Sequence, residues 1–145
     1  RNTLLLLERS FFEHRCCSDR AWLDTHLHDG FLECGRSGLL WNKAATIEAL
    51  LGYSSNRNII IYNFTCEQIH ESVWLVHYVT KGEPEKAYFR TSIWIKEGST
   101  FKMRFHQASP LSDPHPLIAD HSPFCVFSCM QATPGAFILN PQRGK

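Results

Sequence analysis

Apolar residues in the first part of the chain recur with the spacing of an amphipathic helix. Across residues 3 to 14, Leu4, Leu7 and Phe11 fall in one wide stripe, while Glu8 falls largely elsewhere. This pattern predicts a first helix that buries its apolar stripe and leaves its charged residues in solvent.

Two further helices are predicted by their end signals. Residues 18 to 30 offer Ser18 as an N-cap and Gly30 as a stop. Residues 42 to 52 form the clearest helical segment, because Asn42 can cap it and Gly52 can end it. A short strand, "FLECG", lies between these two helices.

The residue composition changes from residue 57 onward, where β-branched and aromatic residues dominate. Four such runs follow one another: "RNIIIYNFTCEQI", "SVWLVHYVTK", "KAYFRTSIWIK" and "TFKMRFHQA". The breaks between the last three are short, which favours antiparallel neighbours in a meander. Helices followed by an antiparallel sheet predict an α+β fold with the helices on one face.

The last of these runs ends in adjacent polar residues, His106 and Gln107. Consecutive strand residues point to opposite faces, so regular geometry does not let both line one cavity. Alternation groups Gln107 with Met103 and Phe105. This favours His106 as the less buried of the two, unless the inner face of the sheet is the polar one.

Composition is that of one ordinary globular domain. The chain has 145 residues and a formal net charge of +1, which provides no basic footprint for nucleic acid. No apolar run is long enough to span a membrane, and no signal-peptide pattern is present, so we expect a cytoplasmic protein. The six cysteines form neither a disulfide framework nor paired zinc motifs, and we expect reduced thiols.

The end of the chain differs again in character. Residues 109 to 145 contain six of the seven prolines, which excludes a long helix. We therefore divide the chain into a domain of residues 1–110 and an irregular extension of residues 111–145, packed on the domain or on a partner subunit. His115, His121, Cys125 and Cys129 fit no standard zinc spacing, and no metal site or cofactor is predicted.

Three motifs in a fixed order resemble one protein family. They are "DGFLECGRSG", "FRTSIW" and "FHQASP", and together with the helices they span roughly residues 3 to 110. The chain resembles the domain-of-unknown-function branch of the nuclear transport factor 2-like superfamily, whose relatives include SnoaL-like polyketide cyclases and ketosteroid isomerases. The matching positions are Asp29, Phe31, Glu33, Gly35, Ser37, Gly38, Arg90, Ser92, Trp94, Phe105, His106, Gln107, Ser109 and Pro110. Cys34, Thr91, Ala108 and Ser109 depart from the usual residues of the pattern.

The resemblance implies a cystatin-like cone. In such a cone, N-terminal helices pack in the concave face of a strongly curved antiparallel sheet, and a pocket opens at one end. It also implies a homodimer formed through the outer face of the sheet.

Polar side chains within the motifs are the candidates for chemistry. Glu33 on its short strand is either a general base or acid facing a pocket, or one half of a buried pair with Arg90. Arg90 and Ser92 share a strand face with Trp94, and this face either holds a ligand's carboxylate, carbonyl or phosphate or packs against a second subunit. His106 could exchange protons with Glu33 or serve a purely structural role.

These observations lead to three functional hypotheses. The first is a pocket that binds a small, partly apolar molecule through Glu33, Arg90, Ser92 and His106, with Phe31, Tyr78 and Trp94 as walls. The second is a cofactor-free enzyme that isomerises, dehydrates or cyclises its substrate by proton transfer, with Glu33 or His106 as the base. The third is a non-catalytic association module.

Overall fold

The computed structural model describes residues 2–82 and 86–112. The predicted extension of residues 111–145 lies outside the described residues apart from its first two positions, as do the four His and Cys positions considered for zinc. Within the described residues, four helices and six strands follow one another in this order: α1 Asn2–Ser10, α2 His14–Cys17, α3 Arg20–His26, β1 Leu27–Cys34, β2 Leu40–Asn42, α4 Lys43–Leu51, β3 Ile60–His70, β4 Val73–Lys81, β5 Ala87–Glu97 and β6 Thr100–Pro110.

The six strands form one mixed sheet in the order β2-β1-β6-β5-β4-β3. The predicted meander is confirmed, because β3 to β6 pair antiparallel with their neighbours in sequence. The pattern did not predict that β1 pairs parallel with β6, which brings Glu33 opposite His106. This pairing places the first and last sequence motifs side by side.

The predicted end signals of the third helical segment are correct, and those of the second are wrong. The Asn42 side chain accepts a hydrogen bond from the Ala45 amide at 2.9 Å, and Gly52 ends α4. The N-cap of α3 is Asp19 rather than Ser18, since the aspartate accepts from the amide of Trp22. Gly30 does not end this helix, because the chain already enters β1 at Leu27.

The first helix is shorter than predicted, and one of its residues faces the other way. Three successive amide-to-carbonyl bonds of the i to i−3 type, starting at Phe11, end α1 in a tight turn. The prediction that Glu8 lies away from the apolar stripe is wrong, because Glu8 is only 1% exposed. Its neighbours one turn away, Leu4 and Phe12, are buried with it.

Two of the register shifts in the sheet, one in β3 and one in β6, change which side chains face the core. In β3, Asn63 has a φ of 54°, and the register slips there, so that Ile61 and Phe64 both face the core. In β6, Phe105 pairs with Ile93 but Met103 pairs with Trp94, which leaves one extra residue between them.

The bulge in β6 decides which of its terminal polar residues is buried. Beyond the bulge the alternation is inverted, so His106 joins Met103 on the core side. His106 is 6% exposed and Gln107 is exposed, which corrects the expectation that His106 is the less buried of the two.

Helices and sheet enclose one apolar core. Its buried members come from α1, the turn after it, α3, β1, α4 and all strands of the meander: Leu4, Leu5, Phe11, Phe12, Leu23, Leu27, Phe31, Ile47, Ile61, Phe64, Val76, Tyr78, Trp94 and Met103. Within residues 2–82 and 86–112, no helix is long and apolar enough to cross a membrane.

Candidate functional site

Two adjoining cavities lie between the helices and the inner face of the sheet. The inner chamber has a volume of about 70 Å³ and is lined by Glu8, Phe11, Phe12, Leu27, Phe31, Glu33, Thr46, Leu50, Arg57, Tyr78, Arg90, Met103 and His106. The outer cleft measures about 460 Å³ and is lined by Glu33, Gly35, Arg36, Ser37, Trp41, Thr46, Ala49, Leu50, Tyr53, Arg57, Asn58, Ile59, Thr80, Gly82, Lys86, Tyr88 and Arg90. Glu33, Thr46, Leu50, Arg57 and Arg90 line both, so they stand where the two spaces meet.

Most of the predicted site residues lie on these cavities. Glu33 and Arg90 line both of them, and Phe31, Tyr78 and His106 line the inner chamber. Ser92 and Trp94 are fully buried behind the chamber wall and contact residues that line it.

Arg90 is held in place from two neighbouring strands. Its Nε donates to Thr80 Oγ1 on β4 at 2.8 Å, and its Nη1 lies 3.1 Å from His106 Nε2 on β6. Its guanidinium carbon is 4.9 Å from the centre of the Phe12 ring. Burial lowers the pKa of Arg90 to about 10, which leaves it charged at neutral pH.

His106 connects Arg90 to a second polar side chain on β5. Its Nε2 faces Arg90, and its Nδ1 lies 2.7 Å from Ser92 Oγ. Both contacts are buried, so the imidazole is fixed by hydrogen bonds on both of its nitrogens.

Glu8 is the deepest charged group of the site. Its carboxylate accepts hydrogen bonds from the Tyr78 hydroxyl and from the Trp94 indole, the latter at 2.7 Å. Burial raises the pKa of Glu8, while the nearby Ser92 hydroxyl, the two donors Tyr78 and Trp94 and the charge of Arg90 oppose the rise. Burial and the neighbouring Glu8 also raise the pKa of Tyr78 well above its ordinary value.

Glu33 occupies a different position from the other polar groups. It is half-buried at the junction of the two cavities and is the register partner of His106 across the β1–β6 pair. Its negative charge favours the charged form of Arg90, although the main effect on the pKa of that arginine is burial. The hydrogen bonds of Arg90 itself go to Thr80 and His106.

Sequence reasoning missed Glu8, although the sequence carries a signal for it. Glu8 stands four residues after Leu4 and three before Phe11, at the centre of the apolar stripe of α1. A carboxylate at such a position must find partners in the core. The partners could not be identified, because they come from β4 and β5, about 70 to 86 residues further along.

Comparison with known proteins establishes the fold. No protein-family model and no curated protein sequence matches the chain. Among solved structures, a nuclear transport factor 2-like protein from Cytophaga hutchinsonii is similar at 20% identity, with a TM-score of 0.63, covering 75% of this chain and 96% of its own. A protein of unknown function from the DUF3225 family of Pectobacterium atrosepticum matches at 12% identity and a TM-score of 0.63, covering 77% and 87%.

A third similar structure is described as the association domain of CaMKII from C. elegans. It matches at 12% identity and a TM-score of 0.59, covering 74% of this chain and 93% of its own. Identities this low show the fold alone. The predicted α+β cone of the nuclear transport factor 2-like type is confirmed on this basis.

Proposed function

We propose that this protein binds a small, partly apolar organic anion in the outer cleft, with the charged group of the ligand directed at Arg90. The observation that carries the proposal is the charge of the cleft. Among the described residues that line it, four are cations and one is a carboxylate: Arg36, Arg57, Lys86 and Arg90 against Glu33. The whole chain is nearly balanced, with 15 Lys and Arg against 14 Asp and Glu, so positive charge is concentrated here.

The arrangement of Arg90 suits the recognition of a carboxylate or phosphate. Thr80 and His106 take two of its five N–H groups and fix the plane of the guanidinium. A planar fork fixed in this way binds an anion by two parallel hydrogen bonds at low entropic cost. Arg57 adds a second positive charge, and its guanidinium is positioned over the rings of Phe12 and Tyr53.

The remaining walls of the cleft support a ligand with an apolar part. Trp41, Tyr53, Tyr88 and Ile59 contribute aromatic and aliphatic surface. A volume of about 460 Å³ lies within the range of small-molecule sites.

Thr46 supports the proposal independently of charge. It lines both cavities and is buried, yet its hydroxyl has no hydrogen-bond partner within the described part of the chain. A buried hydroxyl without a partner is unfavourable in the free protein, and a ligand atom in the cavity would provide one.

The test is a thermal-shift screen with pairs of small carboxylic acids and their neutral amides, such as benzoate and benzamide. The expected result is a rise in Tm with acids only, weakened by salt and reduced in the double variant Arg36→Gln/Lys86→Gln, in which both changed residues are exposed. Arg15→Gln/Lys96→Gln removes the same charge elsewhere and is the matched control. Equal shifts for acids and amides, or equal losses in both double variants, would contradict the proposal.

Thr46→Val provides a second test of the same site. The substitution keeps the shape of the side chain and removes the unpartnered hydroxyl, so the free protein should become more stable by about 1 kcal/mol. A ligand that uses this hydroxyl should bind more weakly. A loss of stability in the free protein would show that the hydroxyl already has a partner.

Self-association of this chain is a second candidate function, favoured by the outer face of the sheet. Leu32, Phe105, Ile93 and Leu75 are register neighbours across four strands and form an apolar row there. The last three of these residues are half-buried, and Leu32 is exposed. The row fits a second copy of this chain, and a similar structure is described as an association domain.

Sedimentation equilibrium tests this second candidate. Ile93→Lys should dissociate the oligomer, whereas Ile69→Lys, which changes an exposed isoleucine outside the row, should not. A chain ending at Ser112 tests the contribution of the remaining residues. A monomeric native protein, or equal behaviour of the two lysine variants, would rule out the row as an interface.

A further inference from the structure

The cations that line the outer cleft form two pairs at different depths. Arg57 and Arg90, the junction pair, line both cavities and stand where the two spaces meet. Arg36 and Lys86, the rim pair, line the outer cleft but not the inner chamber, and both are exposed. Positive charge is therefore present at two separate places of one cleft, at its inner end and at its rim.

The junction pair is fixed by contacts with the core. Both guanidinium carbons lie 4.9 Å from the centre of the Phe12 ring, so the two arginines share one aromatic neighbour. The Nη2 group of Arg57 also donates to the Phe11 carbonyl, and its guanidinium lies over the Tyr53 ring. Two cations held in this way form a site for one acidic group that needs little ordering on binding.

The charge at the junction matches a single carboxylate. Among the described residues that line both cavities, Arg57 and Arg90 carry two positive charges and Glu33 carries one negative charge. The surplus of one positive charge equals the charge of a carboxylate, whereas a phosphate monoester carries about −1.5 to −2 at neutral pH. The buried Thr46 hydroxyl, which has no partner in the described part of the chain, offers that carboxylate a further donor.

The rim pair has no counter-charge within residues 2–82 and 86–112. Neither Arg36 nor Lys86 forms a salt bridge there, and the carboxylate of the cleft, Glu33, lies at the junction. Trp41 and Ile59 line the cleft but not the inner chamber, and they provide apolar surface beside the rim pair. The cleft thus offers two positive sites and an apolar wall.

We propose that the ligand of the outer cleft is a dicarboxylic acid with an apolar chain, which places one carboxylate at the junction pair and the other at the rim pair. The inference rests on the anion site proposed above and adds the number and the places of the acidic groups. Once the first carboxylate is bound, the second is held near the rim pair at a high effective concentration, so even an exposed contact adds affinity.

The test compares ligands of equal length that differ in charge. They are adipate, its monomethyl ester and its dimethyl ester, and the same three forms of suberate. The concentration dependence of Tm provides a Kd for each. The monomethyl ester should bind more tightly than the dimethyl ester, as the anion site requires. For at least one of the two lengths, the diacid should bind about fivefold more tightly than its monomethyl ester, as expected for exposed ion pairs.

Variants of the rim pair locate the second carboxylate. In Arg36→Gln/Lys86→Gln the advantage of the diacid should fall to about twofold, the statistical gain from two equivalent ends of the ligand, while the preference for the monomethyl over the dimethyl ester persists at a reduced level. Arg36→Lys/Lys86→Arg keeps both charges and should keep the fivefold advantage. Arg15→Gln/Lys96→Gln, the matched control, should keep it as well.

The outcomes separate this inference from the anion site on which it rests. If neither diacid binds the native protein more than about twofold more tightly than its monomethyl ester, the dicarboxylate is ruled out and the anion site stands. A full diacid advantage in Arg36→Gln/Lys86→Gln would also overturn the inference, because the second carboxylate would then bind elsewhere. Equal binding of the monomethyl and dimethyl esters would contradict the anion site and the inference with it.

Discussion

Removal of the Glu8 carboxylate is the most informative perturbation of this protein. Glu8→Ala leaves two buried donors without their acceptor: the Tyr78 hydroxyl and the Trp94 indole. It also removes a negative charge that acts on the buried cation Arg90.

The expected loss of stability follows from these contacts. An orphaned buried donor costs about 1 to 3 kcal/mol, and removal of one partner from a buried charge network typically costs about 3 to 5 kcal/mol in total. The upper sum of the separate donors is too large, because the inner chamber adjoins the space left by the side chain and water can enter it. We therefore expect a loss of about 3 to 5 kcal/mol, a large part of the free energy of unfolding of a domain this size.

Urea unfolding followed by circular dichroism at neutral pH measures this loss. With an m-value of about 2 kcal/mol/M, the midpoint should fall by about 2 M with little change in m. The matched control is Glu48→Ala, which also removes a helical glutamate. Glu48 pairs with Arg20 on the surface at 2.8 Å, and its loss should cost less than about 1 kcal/mol.

The comparison between the two alanine variants can refute the reasoning. Glu8→Gln removes the charge but keeps one acceptor, and should fall between them at about 1 to 2 kcal/mol. If Glu8→Ala cost no more than Glu48→Ala, the carboxylate would not be the acceptor that satisfies the buried donors. The description of the inner chamber would then be wrong.

Three further predictions concern the same network and the helix beside it. Burial raises the pKa of Glu8 in the folded state, so the contribution of Glu8 to the free energy of unfolding should fall as pH rises from the ordinary glutamate range through the folded-state pKa. Urea unfolding measured at several pH values should show this fall in the native protein and not in Glu8→Gln. Tyr78→Phe removes a donor that lowers the pKa of Glu8. The ¹⁵N NMR signal of the Trp94 indole, which donates to Glu8, should therefore change with a midpoint at higher pH than in the native protein; a midpoint at lower pH would contradict the assigned direction of the Tyr78 hydrogen bond. Asn42→Ala removes the cap of α4 and should cost about 1 kcal/mol in urea unfolding, while Asn42→Asp keeps an acceptor for Ala45 and should be nearly neutral; equal losses would show that the cap contributes nothing.

Local signals were sufficient for much of the fold. Asn42 and Gly52 bound α4 as predicted, because a side-chain cap and a glycine stop act within a few residues of the chain. The meander followed from short breaks, since only antiparallel neighbours can be joined by two residues such as Gly98 and Ser99. Asp19 took the place of Ser18 as a cap because both residue types serve that role and only the path of the chain decides between them.

The candidate site could be predicted only in part, because its geometry depends on register. Alternation along β6 gave His106 the wrong face, since a single extra residue near Arg104 inverts the pattern beyond it. The parallel pairing of β1 with β6, which sets Glu33 opposite His106, joins segments more than 70 residues apart. No local pattern in either segment encodes that pairing.

Glu8 shows why the polar interior of this domain is better explained by its pocket than by stability. A buried charge network is seldom more stable than apolar side chains of similar volume, so the carboxylate is not required for holding α1 against the sheet. Leu4 and Phe12, one turn to either side, already provide apolar contact there. What apolar residues cannot provide is an acceptor for the buried donors of Tyr78 and Trp94 and a negative charge that acts on the buried cation Arg90. The stability that this network costs relative to an apolar core is therefore linked to the polar wall of the inner chamber, which Glu8, Tyr78 and Arg90 line.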